Sequence, residues 1–306
     1  MRRPGLGIAC AALAALLWAA GAAGCGLGPG RSAGAAMLTV TERFGTVAVG
    51  SVSVRSLPGS ETVMRMLERS FHVDTRYGGG FVQSINGLSG GGQRDWFYYV
   101  NGVQAPAGAA ATPLHQGDEV WWDFHDWRDA ESIPAVVGEF PEPFLHGVAG
   151  RRLPTVIQCF PGAAAACRRV RAVLASAGAR VAAGRSVAPA LTMLVGTWPA
   201  LRSATAGALI ARGPQVSGVF ARFVNGGTEL QLLDPTGRAA RTLGPGAGLI
   251  AATAGGSNIP IWVITGTDAA GVSGAAAALQ TGRLHDHFAL ATSPAGVVPV
   301  PLEAGL

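Results

Sequence analysis

The chain has 306 residues, enough for one large or two ordinary domains, with 49% hydrophobic and only 13% charged residues. All 23 basic residues are arginine, which excludes a phosphate-loop lysine, a Schiff base and a pyridoxal-phosphate lysine. The formal charge of +5 comes with no arginine run interleaved with aromatic rings, so no nucleic-acid partner is expected.

Arg2 and Arg3 precede an apolar run from Ile8 to Ala20, and the small residues Gly21 to Gly24 then end at Cys25. This reads as a secretory signal, too short and wrongly flanked for a stable span. Small residues ending in cysteine resemble the bacterial lipoprotein signal. That resemblance implies cleavage before Cys25, a diacylglyceryl group on its thiol, and an anchor on the outer face of the cell membrane. An ordinary secretory signal or an uncleaved anchor is the rival reading. With two or more acyl chains the attachment is stable. On this reading residues 1–24 are the signal peptide and 25–36 a flexible Gly/Ser/Ala tether.

A first domain is expected over 37–128. Met37–Val40 and Thr46–Val54 are strand-like, and Leu57-Pro58-Gly59 is a turn. Ser60 can cap a helix whose apolar face is Val63, Met66, Leu67 and Phe71, with Glu61, Arg65, Glu68 and Arg69 mostly opposite. Phe81–Ile85 is a strand closed by Asn86-Gly87. Trp96–Val100, all aromatic or β-branched, is a strand closed by Asn101-Gly102, and Glu119–Phe124 is its partner.

The motifs Trp96-Phe97-Tyr98-Tyr99-Val100-Asn101-Gly102, Gly117-Asp118-Glu119-Val120-Trp121-Trp122 and Ser84-Ile85-Asn86-Gly87 resemble the bacterial domains that match the C-terminal domain of transcobalamin and intrinsic factor, over residues about 38–127. The resemblance implies an α+β, grasp-like plan, one helix on a small mixed sheet. It also makes a corrinoid such as cobalamin the most specific small ligand to expect. Alternation places Trp96, Tyr98 and Val100 on one face and Phe97 and Tyr99 on the other, and one helix covers only one face. The rings then either pack across strands or form a platform for a flat ligand or a partner protein. The ligand contacts expected are Ser84, Asn86, Tyr98, Tyr99, Trp121 and Trp122.

Residues 129–152 read as a proline-rich, semi-rigid linker, strapped by Phe140 and Phe144. Over 153–306 an α/β domain is expected: strand-then-helix units begin at Thr155, Leu191 and Ile261, with an antiparallel insert around Asn225-Gly226-Gly227. No family is recognised there. Thr197 and Thr267 sit where helix caps belong; alternatively the two helix starts and Asp268 face a ligand cleft. Cys159 and Cys167 are expected to pair, since Cys10 leaves with the signal and Cys25 takes lipid.

His285-Asp286-His287 and His125-Asp126 read as surface residues rather than metal pairs, with Asp123 and Asp126 as solvated sheet-end charges. Gly87-Leu88-Ser89-Gly90-Gly91 matches G-x-S-x-G but lacks the following helix of a nucleophile elbow. The sequence thus reads as a non-catalytic lipoprotein. It would bind a ligand through its aromatic hairpin and present it to an uptake-system membrane protein. The alternative is an envelope module that docks a protein or surface polymer. A third reading, an enzyme in 153–306, needs Asp268, a histidine and a Gly-Thr turn to converge.

Overall fold

A computed structural model describes residues 35–183, 189–255 and 258–302; the expected signal, Cys25 and nearly all of the tether lie outside them. The first half runs β1 (Ala36–Glu42), β2 (Val47–Val54), α1 (Val63–Ser70), β3 (Val73–Arg76), β4 (Phe81–Ile85), β5 (Leu88–Ser89), β6 (Arg94–Val100), β7 (Val103–Gln104) and β8 (Glu119–Asp126). The second half runs β9 (Thr155–Cys159), α2 (Ala164–Ala177), β10 (Leu191–Thr197), α3 (Trp198–Leu201), α4 (Thr205–Ala211), α5 (Pro214–Ser217), β11 (Ala221–Val224), β12 (Glu229–Leu233), β13 (Ala239–Leu243), β14 (Gly248–Thr253), β15 (Ile261–Gly266), α6 (Ala269–Ala278), α7 (Thr281–Leu284), β16 (Ala289–Ser293) and β17 (Gly296–Val300).

The protein is mixed α+β, with a five-stranded sheet from the first half and a larger six-stranded mixed sheet from the second. The smaller sheet has the order β2-β1-β8-β6-β7, with β1 parallel to β8 and antiparallel pairs elsewhere. The larger has the order β17-β16-β14-β15-β10-β9, with β9, β10 and β15 parallel. Its central parallel strands β10 and β15 are buried on both faces, which is why they read as largely apolar runs. The insert β11-β12-β13 is antiparallel, as expected.

Local caps differ from expectation in informative ways. Thr62, not Ser60, caps α1 by accepting from the Arg65 amide at 3.3 Å. Glu61, expected on the wet face, is buried and paired with Arg69. Asp268, not Thr267, caps α6 through the Gly271 amide at 2.8 Å, and its other oxygen accepts from the Gly246 amide at 2.7 Å. Both carboxylate oxygens of Asp268 are therefore engaged by backbone. Helix α2 ends at Gly178, whose φ of 93° lets its amide reach back to the last carbonyls. The Cys159–Cys167 disulfide is formed, with the Cα atoms 6.1 Å apart.

The two faces of the aromatic ribbon bury against different partners. Trp96, Tyr98, Trp122 and Phe124 pack with α1 through Val63, Met66 and Leu67. Tyr99 and Trp121 face the other way and join a cluster with Ile133, Val136, Phe220 and Phe288. Phe288 sits edge-on to Trp121 at 5.0 Å and to Tyr99 at 5.7 Å. The face that one helix could not cover is thus covered by residues from 130–300. The stretch 129–152 contributes to this: Ile133, Val136, Val137, Phe140 and Phe144 are buried, the last two against Trp262.

Candidate functional site

The expected ligand contacts do not converge on an open surface. Trp121 and Trp122 are 1% and 2% exposed and Tyr99 is fully buried, so in this conformation these rings offer nothing to stack on. This burial has a simple cause: the ribbon is sandwiched rather than half-covered. Ser84 is buried and donates to Asp74 at 2.5 Å. Asn86 holds the turn at φ 51°, where its side-chain oxygen accepts from the His72 amide at 3.1 Å. Tyr98 is half-buried, stacked on Trp122 at 4.8 Å, and its hydroxyl donates to the Ala107 carbonyl at 2.5 Å. Cross-strand packing accounts for most of the rings.

Asp123 and His125 also depart from expectation, because both are buried. The Asp123 carboxylate accepts from Thr41 Oγ1 (2.5 Å), the Phe44 and Gly45 amides (3.0 and 2.8 Å) and His125 Nδ1 (2.8 Å). The Trp121 indole donates to Thr41 at 2.7 Å, extending the chain of bonds. The His125 ring is stacked between Phe44 and Phe97, at 4.6 and 4.5 Å. Three successive residues, Arg43, Phe44 and Gly45, have positive φ, so this buried carboxylate is what holds a costly turn in place. Sequence position alone made these polar residues look like solvated strand ends.

Open space lies instead at the other edge of the small sheet. Asn101 and Gly102 close β6 with φ values of 54° and 71°, the two left-handed residues such a turn needs. β7 then runs along the edge and leaves it at Ala105-Pro106. Beside it are two adjoining cavities of about 500 and 120 Å³ that share Val103, Gln104, Ala105, Pro106 and Asn258. Val100, Pro113 and Val148 add apolar surface, and His115 and Asp118 form a polar wall. Ser132 donates to Gln104 at 2.6 Å and fixes that amide at the rim. The smaller cavity's apolar lining with a few oriented polar groups is the usual composition of a small-molecule site.

The polar wall is backed by carboxylates. Asp118 is buried and accepts from Asn101 Nδ2 at 2.8 Å and from the His115 amide at 2.8 Å. Asn101 in turn accepts from the Glu119 amide at 2.9 Å, so one turn residue organises both acids. Glu139 accepts from the Gly102 amide, and Glu142 pairs with His146 Nδ1 at 2.7 Å. Burial, with Glu142 and Asp286 nearby, pushes Glu119 up to about 7, while His285 pulls it down. Burial, then Glu119, Glu142 and Asp118, push Glu139 well above the carboxylate range against the Gly102 hydrogen bond. Burial also raises Glu142, opposed by His146. Among the described residues no group of three or more His, Cys, Asp and Glu side chains is placed to hold a metal ion.

The sequence signal for this site is the Asn101-Gly102 turn that closes β6 and the Gly117-Asp118 pair that precedes the partner strand. Nothing local connected them to Glu139 and Glu142. Among curated proteins none matches the chain. A family model described as a domain of unknown function (DUF4430) matches residues 60–126, the stretch from α1 to the end of β8 that carries the aromatic ribbon and the polar wall.

Proposed function

We propose that the chain is an extracytoplasmic, lipid-anchored binding protein that takes a small ligand in the groove beside β7. The observation that carries this reading is the groove itself, whose smaller cavity is apolar on most sides and walled by His115 and Asp118. The lipobox-like residues ending at Cys25 support the anchor. The transcobalamin-like, grasp-like plan for residues about 38–127 is supported by the central parallel pair β1–β8, its antiparallel flanks and the single helix on one face. A corrinoid is the ligand that resemblance suggests. A cavity of about 500 Å³ takes a drug-sized molecule or one edge of a flat macrocycle, not the whole of it. Ligand capture next to a membrane fits handover to an uptake-system membrane protein.

Calorimetric titration of the full-length protein with cyanocobalamin tests the ligand. Micromolar binding that is lost in Ala105→Trp, which fills the groove, is the expected result. The absence of binding to the wild type removes the corrinoid. Metabolic palmitate labelling tests the anchor, and label retained in Cys25→Ala contradicts it.

One observation favours an interaction module instead. Tyr77 is 86% exposed at positive φ, beside three glycines and the partly exposed Phe81, with the rings edge-to-face at 6.2 Å. An aromatic hairpin tip held open to solvent suits a protein or surface-polymer partner. Cross-linking in cells separates the readings, because only this one expects a stoichiometric protein neighbour lost in Tyr77→Ser.

A further inference from the structure

The lining of the groove is acidic rather than basic. Of 23 arginines, none is among the described residues that line either cavity. Asp118 does line it, and Glu119 follows directly in sequence. Glu139 and Glu142 interact with both of these acids or with one of them across the same layer. The histidines that act on this group are His146 on Glu142 and His285 on Glu119, with His115 Nδ1 3.3 Å from Asp118. Asp286, beside His285, adds further negative charge. Buried carboxylates left without enough positive charge take up protons instead.

Resting on the reading that this groove binds a ligand, we propose that its ligand is a small amphipathic molecule carrying an ammonium or other cationic head. The apolar body lies on Val100, Val103, Pro113 and Val148, and the head sits at the His115–Asp118 wall. A cation there supplies the charge the acid group lacks, and a low-dielectric wall strengthens that attraction. An anionic head meets Asp118 and the acids behind it with no arginine among the lining residues, so it binds there more weakly than a cationic one.

The linkage has a definite direction. A cation favours the ionised form of Glu119, so binding releases protons, and affinity rises as the pH passes from below to above about 7. The other groups facing Glu119 are Glu139, Glu142, His285 and Asp286. The Asp286 hydrogen bond raises His285 above the ordinary imidazole range, and the loss of its charge with rising pH changes affinity in the same direction.

The experiment uses three isosteric probes on the full-length protein: benzylamine, benzyl alcohol and benzoate. Expected is the order amine, alcohol, benzoate, with the amine about tenfold or more tighter than benzoate and tighter at pH 8 than at pH 6. Glu119→Gln is expected to remove part of that pH dependence. Equal binding of all three probes, or benzoate binding best, overturns the cationic head and leaves the groove reading standing. If no probe binds differently in Ala105→Trp, the groove reading itself fails.

Discussion

Glu119→Gln also tests the electrostatics through stability. In the folded chain this carboxyl titrates near 7, against an ordinary value of 4.5. A raised folded pKa means that the folded state holds the proton more tightly than the unfolded chain. The resulting stabilisation is full below pH about 4.5 and is lost as the pH rises through about 7. A shift of this size corresponds to roughly 3 kcal/mol between pH 5 and pH 8 at most, because part of the side chain meets solvent. Glutamine copies the protonated form and cannot ionise. Urea unfolding followed by tryptophan fluorescence at pH 5 and pH 8 should show the wild type losing stability over this interval. The variant should lose about 2–3 kcal/mol less, and so be the more stable protein at pH 8. Glu139 and Glu142, also raised, leave a residual slope of the same sign in both proteins. Identical pH dependence in wild type and variant would refute the assignment of a buried, uncompensated charge to Glu119.

Phe288→Ala removes the ring shared by Phe44, Tyr99, Trp121 and His125, and is expected to cost about 3–5 kcal/mol in the same assay. A loss below about 1 kcal/mol would mean that the second half of the chain does not seal the ribbon. Asp123→Ala strips four donors of their acceptor in a dry site and should cost about 3 kcal/mol or more, checked by thermal unfolding; a near-neutral change contradicts the network. Replacing Cys159 and Cys167 together by serine opens a short loop and should cost about 2–3 kcal/mol without changing benzylamine affinity, measured by unfolding and titration. A weakened affinity would tie the bridge to the groove.

Much of the frame was legible from local pattern. Val63, Met66 and Leu67 announced α1, the β-branched and aromatic run announced β6, and Cys159 and Cys167 paired as expected. The units at Thr155, Leu191 and Ile261 became parallel strands, the latter two buried on both faces. What stayed hidden depended on contacts distant in sequence. The cover over Tyr99 and Trp121 is Phe288, which no hairpin-scale pattern connects to them. Prolines from 134 to 143 marked irregular backbone correctly, but irregular backbone here carries buried Val136, Val137, Phe140 and Phe144. Asp123 looked solvated because its partners, the Phe44 and Gly45 amides, lie in another turn. The acid wall joins residues 118–119 to residues 139–142 only after the chain has folded back on the Asn101-Gly102 turn.

Ligand is proposed to meet the protein in the groove beside β7. Amide chemical-shift mapping of the full-length protein during a benzylamine titration at pH 8 tests this most directly. The predicted result is a saturable set of shifts confined to Val103–Ala105, Thr112, His115, Val148–Ala149 and Asn258. Shifts centred on Tyr77 and Phe81, or none that saturate, would contradict it.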